Sequence, residues 1–433
     1  MNVAVVGTGY VGLVTGTCLA ELGHKVICID NNVKKIETLN NGKIPIYEPG
    51  LKELVSKNFK QGRLSFTTKI EKGVNTSEII FVAVHTPPLP DGSANLCYVE
   101  DVSREIAECM NDYRIIVSKS TVPVETGKWI KKTIQRYAHR DVDYDVASNP
   151  EFLREGKAVD DFLNPDRIVI GVESEKAKQK MLQLYDPISE KTEILTTNIE
   201  SAELIKHASN SFLAMKISYI NAVVNICEKT AGDVKEVARG MGLDKRIGDQ
   251  FLEAGVGFGG SCFPKDLSAF IQISENLGYN FNLLKEVQKI NENQKALIMD
   301  KIRENLWNLS NKKIGVLGLA FKPDTDDMRN APSIDIIKQL VRENAEVKAY
   351  DPQAKDNASR ILPGAVNYCD DIYETAQNCE LLLILTGWED IKNMDIDRVK
   401  KLLDSPPTVV DGRNLFEPEV MKDKGIRYSG VGR

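Results

Sequence analysis

NVAVVGTGYVG, residues 2–12, decides the fold. Val3 to Val6 is a short apolar run of the kind that forms a buried strand. It runs directly into Gly7-Thr8-Gly9-Tyr10-Val11-Gly12. A helical stretch follows to Leu22 and closes at Gly23, and a second strand, Lys25 to Ile29, ends at Asp30. This is a βαβ unit with G-x-G-x-x-G between strand and helix. Glycine at these positions permits the tight turn, the close approach of backbone to a pyrophosphate, and close packing of helix on strand. The helix N-terminus offers N–H donors and positive potential to phosphates. Asp30 stands at a strand end, 18 residues past Gly12. A carboxylate there accepts from ribose hydroxyls and repels a 2′-phosphate, so NAD is favoured over NADP.

Working outward, Glu78 to Val84, Arg114 to Ser118, Tyr144 to Ala147 and Arg167 to Gly171 read as further strands, with helical segments between them. Residues 1–198 are therefore expected to form one Rossmann-like, doubly wound α/β domain that binds NAD. The texture then changes. Asn198 to Lys229 contains no Gly or Pro, and Ala202, Ile205, Ala208, Phe212, Met215, Tyr219, Val223 and Ile226 recur at helical spacing. A helix of about 30 residues would be about 45 Å long. Such a helix bridges domains or makes a subunit interface, so a homodimer or higher homo-oligomer is expected. Residues 199–308 are assigned to a central helical domain. At Lys313 to Leu317 a strand again enters a glycine, Gly318, and Glu346 to Tyr350 ends at Asp351, repeating the opening plan. Pro332 sits where the intervening helix should start. Residues 309–433 are expected to form a second Rossmann-like α/β domain. Its loop Ala320-Phe321-Lys322-Pro323-Asp324 lacks the glycine fingerprint and carries a lysine.

The 433 residues are 42% hydrophobic and carry a net charge of −6 without a large block of one sign. That argues against nucleic acid as a partner. No apolar run approaches the ~18 residues of a membrane span, and the start lacks a basic region before its apolar stretch. The eight cysteines form no CxxC pair and the four histidines have no ligand spacing, so no metal is expected. Most of the cysteines lie in apolar stretches, as small buried residues of a reducing cytoplasm do.

One cysteine stands apart. In Gly255-Val256-Gly257-Phe258-Gly259-Gly260-Ser261-Cys262-Phe263-Pro264-Lys265-Asp266, four glycines precede Cys262, and Lys265 and Asp266 follow it. The glycines would let backbone approach a ligand. A helix N-terminus and a neighbouring lysine would favour the thiolate, which can attack an aldehyde or acyl carbon. An inert cysteine in a tight helix-capping turn is the plain alternative. Two i,i+4 pairs also stand out. Lys206 and Asn210 share a face of the long helix, beside His207 and Ser209. Glu151 and Glu155, within Asn149-Pro150-Glu151-Phe152-Leu153-Arg154-Glu155-Gly156, are expected on one face of a short helix after a strand end. Ser120-Thr121-Val122-Pro123, after another strand, is a similar candidate.

These segments, in this order, together with Thr86-Pro87-Pro88, Phe321-Lys322-Pro323 and Asp326-Asp327-Met328-Arg329, resemble the nucleotide-sugar (UDP-glucose/GDP-mannose) dehydrogenase family nearly end to end. The resemblance implies a four-electron oxidation of a sugar primary alcohol to a carboxylate with two NAD. Cys262 would hold the intermediate as a thiohemiacetal and then a thioester. It implies that Lys206 stabilises oxyanions with Asn210 as a further donor. Asp266 would orient or activate water, and Glu155 and Thr121 are candidates on the base side. It places Gly7, Gly9, Tyr10, Val11, Gly12, Asp30, Lys35, Thr86, Thr121, Glu155, Lys265 and Arg329 at the cofactor. It places Glu151, Phe152, Leu153, Arg154, Glu155, Lys206, Asn210, Phe251, Leu252, Glu253, Ala254, Gly255, Phe258, Gly259, Lys322 and Arg413 at the nucleotide sugar, with Arg246 reaching a partner subunit's substrate. Phe258-Gly259 and Phe263 favour UDP-glucose; GDP-mannose or a UDP-N-acetylhexosamine is the rival substrate, and a catalytically silent nucleotide-sugar-binding protein the rival class. Two positions depart from the family pattern. His85 stands where a small residue precedes Thr86, and Glu125 stands where the family has Gly.

Overall fold

The computed structural model describes residues 1–139 and 142–433. The chain divides into two compact units, Met1–Ser209 with Ser268–Gly278, and Asn210–Leu267 with Tyr279–Arg433.

The first unit is built on strands β1 (Asn2–Val6), β2 (Lys25–Ile29), β3 (Leu64–Thr67), β4 (Ile79–Val82), β5 (Arg114–Ser118), β6 (Tyr144–Ser148), β7 (Arg167–Gly171) and β8 (Glu193–Thr197). They lie in the order β3-β2-β1-β4-β5-β6-β7-β8. Every pairing is parallel except β6 with β7, which meet antiparallel at Ser148 and Gly171. Alternation along β1 sends Val3 and Val5 to one core layer, with Leu13, Cys18 and Phe81. Ala4 and Val6 go to the other, with Ile80, Ile116 and Ile130. A strand buried on both faces reads as one continuous apolar run, which is why β1 is legible in the sequence. The order reverses at β1, between β2 and β4, and ligands of such sheets bind outside that point at the carboxyl ends of the strands.

The second unit carries β9 (Lys313–Leu317), β10 (Glu346–Tyr350), β11 (Asn367–Tyr368), β12 (Leu381–Ile384), β13 (Thr408–Asp411) and β14 (Arg427–Ser429). These form an all-parallel sheet in the order β11-β10-β9-β12-β13-β14. That order reproduces β3-β2-β1-β4-β5-β6, so the repeat read from Gly318 and Asp351 is a repeat of topology. Gly318, at φ +88°, leaves β9 as Gly7, at φ +97°, leaves β1.

The helix Ile199–Thr230 runs 32 residues, starting in the first unit and continuing in the second. In the second unit it buries Ala214, Ile220, Val224 and Cys227. Phe212, Tyr219 and Ile226 recur every seven residues and stay 58%, 56% and 62% exposed. Among the described residues no helix is long and apolar enough to cross a membrane.

Candidate active site

The glycine cradle separates three jobs. A Cβ on Gly7 would lie 2.5 Å from the Ala83 carbonyl oxygen, and one on Gly12 1.8 Å from the Gly7 carbonyl oxygen, so both glycines are spent on turning and packing. A Cβ on Gly9 would meet nothing within 4 Å. The room at Gly9, at the N-terminus of the helix Tyr10–Glu21, is what a pyrophosphate approaching the main chain requires. Asp30 ends β2 beside it. One carboxylate oxygen accepts from Thr8 N (2.9 Å), Thr8 Oγ1 (2.7 Å) and Lys35 Nζ (2.8 Å), and the other from Asn32 N (3.0 Å). Burial pushes the carboxyl up, but these donors outweigh it and hold Asp30 below its ordinary value. An ionised acceptor at a strand end fits a ribose diol. The unit therefore fits a dinucleotide without a 2′-phosphate. Thr86 donates to the Thr121 carbonyl at 3.0 Å, joining the two loops expected at the cofactor. His85 is exposed beside Thr86.

Tyr10 faces the protein: its hydroxyl donates to Glu48, and burial with Glu48 beside it pushes the phenol far up. Glu48 in turn accepts from Gly156 N and Ala158 N, both at 2.7 Å. Glu48 thus ties the cradle to the loop 149–156. That loop is not the short helix expected from Glu151 and Glu155. Pro150 lacks an N–H to donate, Gly156 turns at φ +83°, and Glu151 accepts from Leu153 N at 2.6 Å, so the segment runs extended into a turn.

The outcome is a buried ion pair. Lys206 donates to the Glu151 carbonyl at 2.6 Å and to its carboxylate at 3.1 Å, both side chains being almost fully buried. The Phe152 ring lies between cations, with the Lys206 ammonium 5.3 Å and the Arg167 guanidinium 3.7 Å from its centroid. Glu155 is buried in the turn. Arg154 points to the surface and forks onto Asp161. One turn along the long helix from Lys206, Asn210 belongs to the second unit.

In that unit Asn210 donates to Asp266 Oδ2 at 2.6 Å, and Lys265 donates to Asp266 Oδ1 at 2.7 Å. Asp266 is fully buried. Its N–H donates at 2.8 Å to the carbonyl of Cys262, which therefore opens the helix Phe263–Asn276. Cys262 is partly exposed, and Ser261 Oγ lies 3.6 Å from its sulfur. Burial pushes the Cys28 thiol up to about 12 and that of Cys379 up to about 11, so those two are inert.

At the glycines before Cys262 the space that a side chain would need is taken by protein. A Cβ on Gly255 would lie 2.6 Å from Gly412 O, on Gly257 2.7 Å from Asn291 Oδ1, on Gly259 2.3 Å from Asn330 O, and on Gly260 2.8 Å from the Phe321 ring. They let the loop lie flat against its own unit. Asn291, which the sequence did not single out, holds it by accepting from Phe258 N (2.8 Å) and donating to Phe258 O (3.0 Å). Phe263 packs between Phe251, at 6.1 Å, and Phe258, at 5.8 Å between ring centroids. Leu252 and Ala254 point into the core and Glu253 into solvent. Arg413 donates to Leu385 O (2.7 Å) and Phe321 O (3.0 Å), and desolvation pushes its guanidinium down to about 10. Lys322 stands 5.5 Å from the Phe321 ring centroid. Arg329 forks onto Asp327, and Arg246, on the surface, onto Asp244. Asp351, the counterpart of Asp30, accepts from Leu319 N, Ala320 N, Gln353 N, Ala354 N and Trp388 Nε1. That carboxylate is saturated by its own unit and is not offered to a ribose. Among the described residues no group of three His, Cys, Asp or Glu is placed to hold a metal ion.

Three family models match the chain. They are the UDP-glucose/GDP-mannose dehydrogenase family NAD binding domain over residues 1–189, its central domain over 200–293 and its UDP binding domain over 315–418. The chain is 49% identical over 432 residues to UDP-glucose 6-dehydrogenase TuaD of Bacillus subtilis (strain 168), covering all of this chain and 93% of that one. It superposes on a UDP-glucose dehydrogenase from the hyperthermophilic archaeon Pyrobaculum islandicum with a TM-score of 0.92 at 39% identity, over 99% and 97% of the two chains. On a UDP-D-ManNAc dehydrogenase from Pyrococcus horikoshii the TM-score is 0.88 at 28% identity, over 100% and 99%. The NAD cradle, the repeated sheet and the end-to-end similarity agree: the chain belongs to the UDP-glucose/GDP-mannose dehydrogenase family of NAD-dependent oxidoreductases.

Proposed function

We propose that the chain oxidises UDP-glucose to UDP-glucuronate in two successive dehydrogenations at C6, with Cys262 carrying the half-oxidised sugar. The observation that carries this reading is a partly exposed cysteine, Cys262, at the start of the helix Phe263–Asn276, with Asp266 locked between Asn210 and Lys265 one turn away. When bound, NAD would accept the hydride from C6 in each of two rounds. Gly7 to Gly12, Asp30, Lys35, Thr86, Thr121, Glu155, Lys265 and Arg329 are the residues we assign to hold it.

In the first round the C6 hydroxyl proton passes to the side of Thr121 and Glu155 as C6 loses its hydride. The Cys262 sulfur then adds to the aldehyde carbon, and the carbonyl oxygen becomes the oxygen of a thiohemiacetal. Loss of the second hydride from C6 leaves a thioester. Water oriented by Asp266 adds to its carbonyl carbon, the C–S bond breaks, and the carboxylate leaves with the thiolate restored. Lys206 and the Asn210 amide donate to the oxygen wherever it gathers negative charge. Covalent capture keeps the aldehyde from escaping between rounds. We assign the UDP end to Phe251–Gly255, Phe258, Gly259, Lys322 and Arg413, and the sugar to the loop Glu151–Glu155.

The choice of UDP-glucose is supported by the higher identity to the Bacillus enzyme, 49% against 28% for the Pyrococcus UDP-D-ManNAc enzyme. The stripe Phe212, Tyr219, Ile226 supports a homodimer or higher homo-oligomer formed through the long helix, with Arg246 serving the partner's substrate. Cys18, Cys28, Cys227, Cys369 and Cys379 are buried thiols outside any disulfide, which suits a reducing cytoplasm. The test is a panel of nucleotide sugars followed at the NADH absorbance band. UDP-glucose should release two NADH per sugar; turnover confined to GDP-mannose or a UDP-N-acetylhexosamine would move the substrate, and no turnover at all would leave a binding protein.

A further inference from the structure

In the first unit three donors converge on one buried carboxylate for which the reaction above has no use. Glu48 lies between the helices Val33–Asn40 and Leu51–Lys60 and is 4% exposed. Its carbonyl accepts from Leu51 N at 3.2 Å, and Ile46 and Leu51, on either side of it in the chain, pack into the core layer of Val3 and Val5. The side chain therefore starts from a fixed point. Oε2 accepts from the Tyr10 hydroxyl and from Gly156 N, the latter at 2.7 Å, and Gly156 N also donates to the Tyr10 oxygen at 3.0 Å. Oε1 accepts from Ala158 N at 2.7 Å. Tyr10 is the first residue of the helix Tyr10–Glu21, next to Gly9. Gly156 directly follows Glu155, and Ala158 opens the helix Ala158–Leu163.

A carboxylate is tolerated inside a protein when its oxygens are filled. These are filled from two places that lie 146 residues apart in the chain. Burial, with Glu48 beside it, pushes the Tyr10 phenol far up, so the hydroxyl keeps its proton and stays a donor. The helix Ala158–Leu163 has no side-chain cap at Lys157, and Oε1 supplies the acceptor that its first N–H needs. Capping that helix takes Oε1 alone. The bonds at Oε2 join the turn behind Glu155 to a side chain of the glycine cradle. The cradle holds without them, because Gly7 packs against Ala83 and Gly12 against Gly7. What gains a fixed place is the loop Glu151–Glu155. A shift of about 1 Å in a group that orients a substrate can cost on the order of a hundredfold in rate.

We infer that Glu48 is a positioning residue: by holding the Tyr10 hydroxyl and the N–H groups of Gly156 and Ala158 on one carboxylate, it fixes the loop Glu151–Glu155 against the dinucleotide cradle. The inference rests on the assignment of that loop to the sugar, made above. Its test is a double-mutant cycle of Glu48→Gln and Tyr10→Phe. All variants are assayed with whichever nucleotide sugar the unmodified protein turns over fastest. If that sugar is not UDP-glucose, the substrate reading fails and the cycle proceeds unaffected. If none is turned over, the proposed reaction fails and the Kd for UDP-glucose takes the place of kcat/KM. Glutamine offers one acceptor oxygen and one NH2, so it cannot serve both ends of the tie. Glu48→Gln should lower kcat/KM for the nucleotide sugar about tenfold, while the calorimetric Kd for NAD stays within about twofold. Amide exchange at Gly156 and Ala158 in the ligand-free protein should quicken about tenfold or more. Tyr10→Phe leaves Ala158 on Oε1 and cuts only the link to the cradle, so it should lower the same kcat/KM about threefold. The double variant should stay within about twofold of Glu48→Gln, because the link is already broken there. An unchanged kcat/KM in Glu48→Gln, an equal weakening of NAD, unaltered amide exchange, or losses that multiply in the cycle would each overturn the role. Should Glu48→Gln not fold, Tyr10→Phe decides alone: the threefold loss at constant NAD Kd upholds the role, and an unchanged kcat/KM overturns it.

Discussion

Alanine at Gly9 and alanine at Gly12 should fail in opposite ways, because one position faces ligand space and the other faces protein. At Gly12 the new Cβ would sit 1.8 Å from the Gly7 carbonyl oxygen, whereas real Cβ atoms essentially never come within 3.0 Å. The obstacle is backbone, so the helix Tyr10–Glu21 must back away from β1 by more than an ångström. Overpacking of that size costs about 3 kcal/mol or more. For a unit of this size that lowers the melting temperature by about 6–12 °C. At Gly9 the backbone, φ −69° and ψ −169°, is one that alanine adopts, and nothing lies within 4 Å. Stability should stay within about 0.5 kcal/mol. The methyl would instead fill the room through which a pyrophosphate reaches the main chain. The NAD Kd should rise at least about tenfold, or about 1.4 kcal/mol. Thermal melts and calorimetric NAD titrations of both variants measure the two quantities separately. Gly9→Ala binding NAD as tightly as the unmodified protein would refute the placement of the phosphates, and Gly12→Ala melting normally would refute the packing argument.

Cys262→Ala should melt normally yet lose steady-state four-electron turnover by about a thousandfold or more, and Cys262→Ser should accumulate an ester visible by intact-protein mass; full turnover by the alanine variant would end the covalent mechanism. Asp30→Ala removes both the ribose acceptor and the repulsion of a 2′-phosphate, so the ratio of kcat/KM for NAD over NADP should fall at least about tenfold, and an unchanged ratio would show that the acid does not select the cofactor. Glu203 is buried and accepts from Glu125 N at 2.7 Å and Gly127 N at 2.9 Å, yet burial pushes its carboxyl up from 4.5 to about 7. A raised acid binds more protons folded than unfolded, so stability should fall as pH rises from 4.5 to about 7 and level off above, by roughly 3 kcal/mol in all. Glu203→Gln should flatten that part of a denaturation series, and an undiminished slope would assign it elsewhere.

Much of this was legible because it is local. Val3 to Gly12 and Asp30 announce a dinucleotide cradle, since a doubly buried strand, a glycine turn and a helix start are all encoded within a few residues of each other. The string from Gly257 to Asp266 announces the thiol, and Lys206 with Asn210 announces a helix face. Other readings failed where geometry is settled by partners far along the chain. The loop 149–156 carries an i,i+4 pair of glutamates but is extended, because Glu48 and Lys206 supply what a helix would have left unpaired. At the glycines from Gly255 to Gly260 the room that a side chain would need is filled from afar. Asn291, Asn330, Phe321 and Gly412 occupy it, and nothing near the glycines in sequence says so. Glu125 sits at φ +76°, a backbone conformation that favours glycine, and its N–H goes to Glu203 on another helix.

Periodicity marked Phe212, Tyr219 and Ile226 as one stripe of a long helix, but only the fold decides that the stripe faces outward. Glu48 and Glu203 drew no notice, because a lone charged residue reads as surface until its burial is known. Local backbone chemistry and hydrophobic period are written along the chain. Which polar groups are desolvated, and by which distant neighbours they are then held, is a property of contacts between strands and helices that no single segment contains.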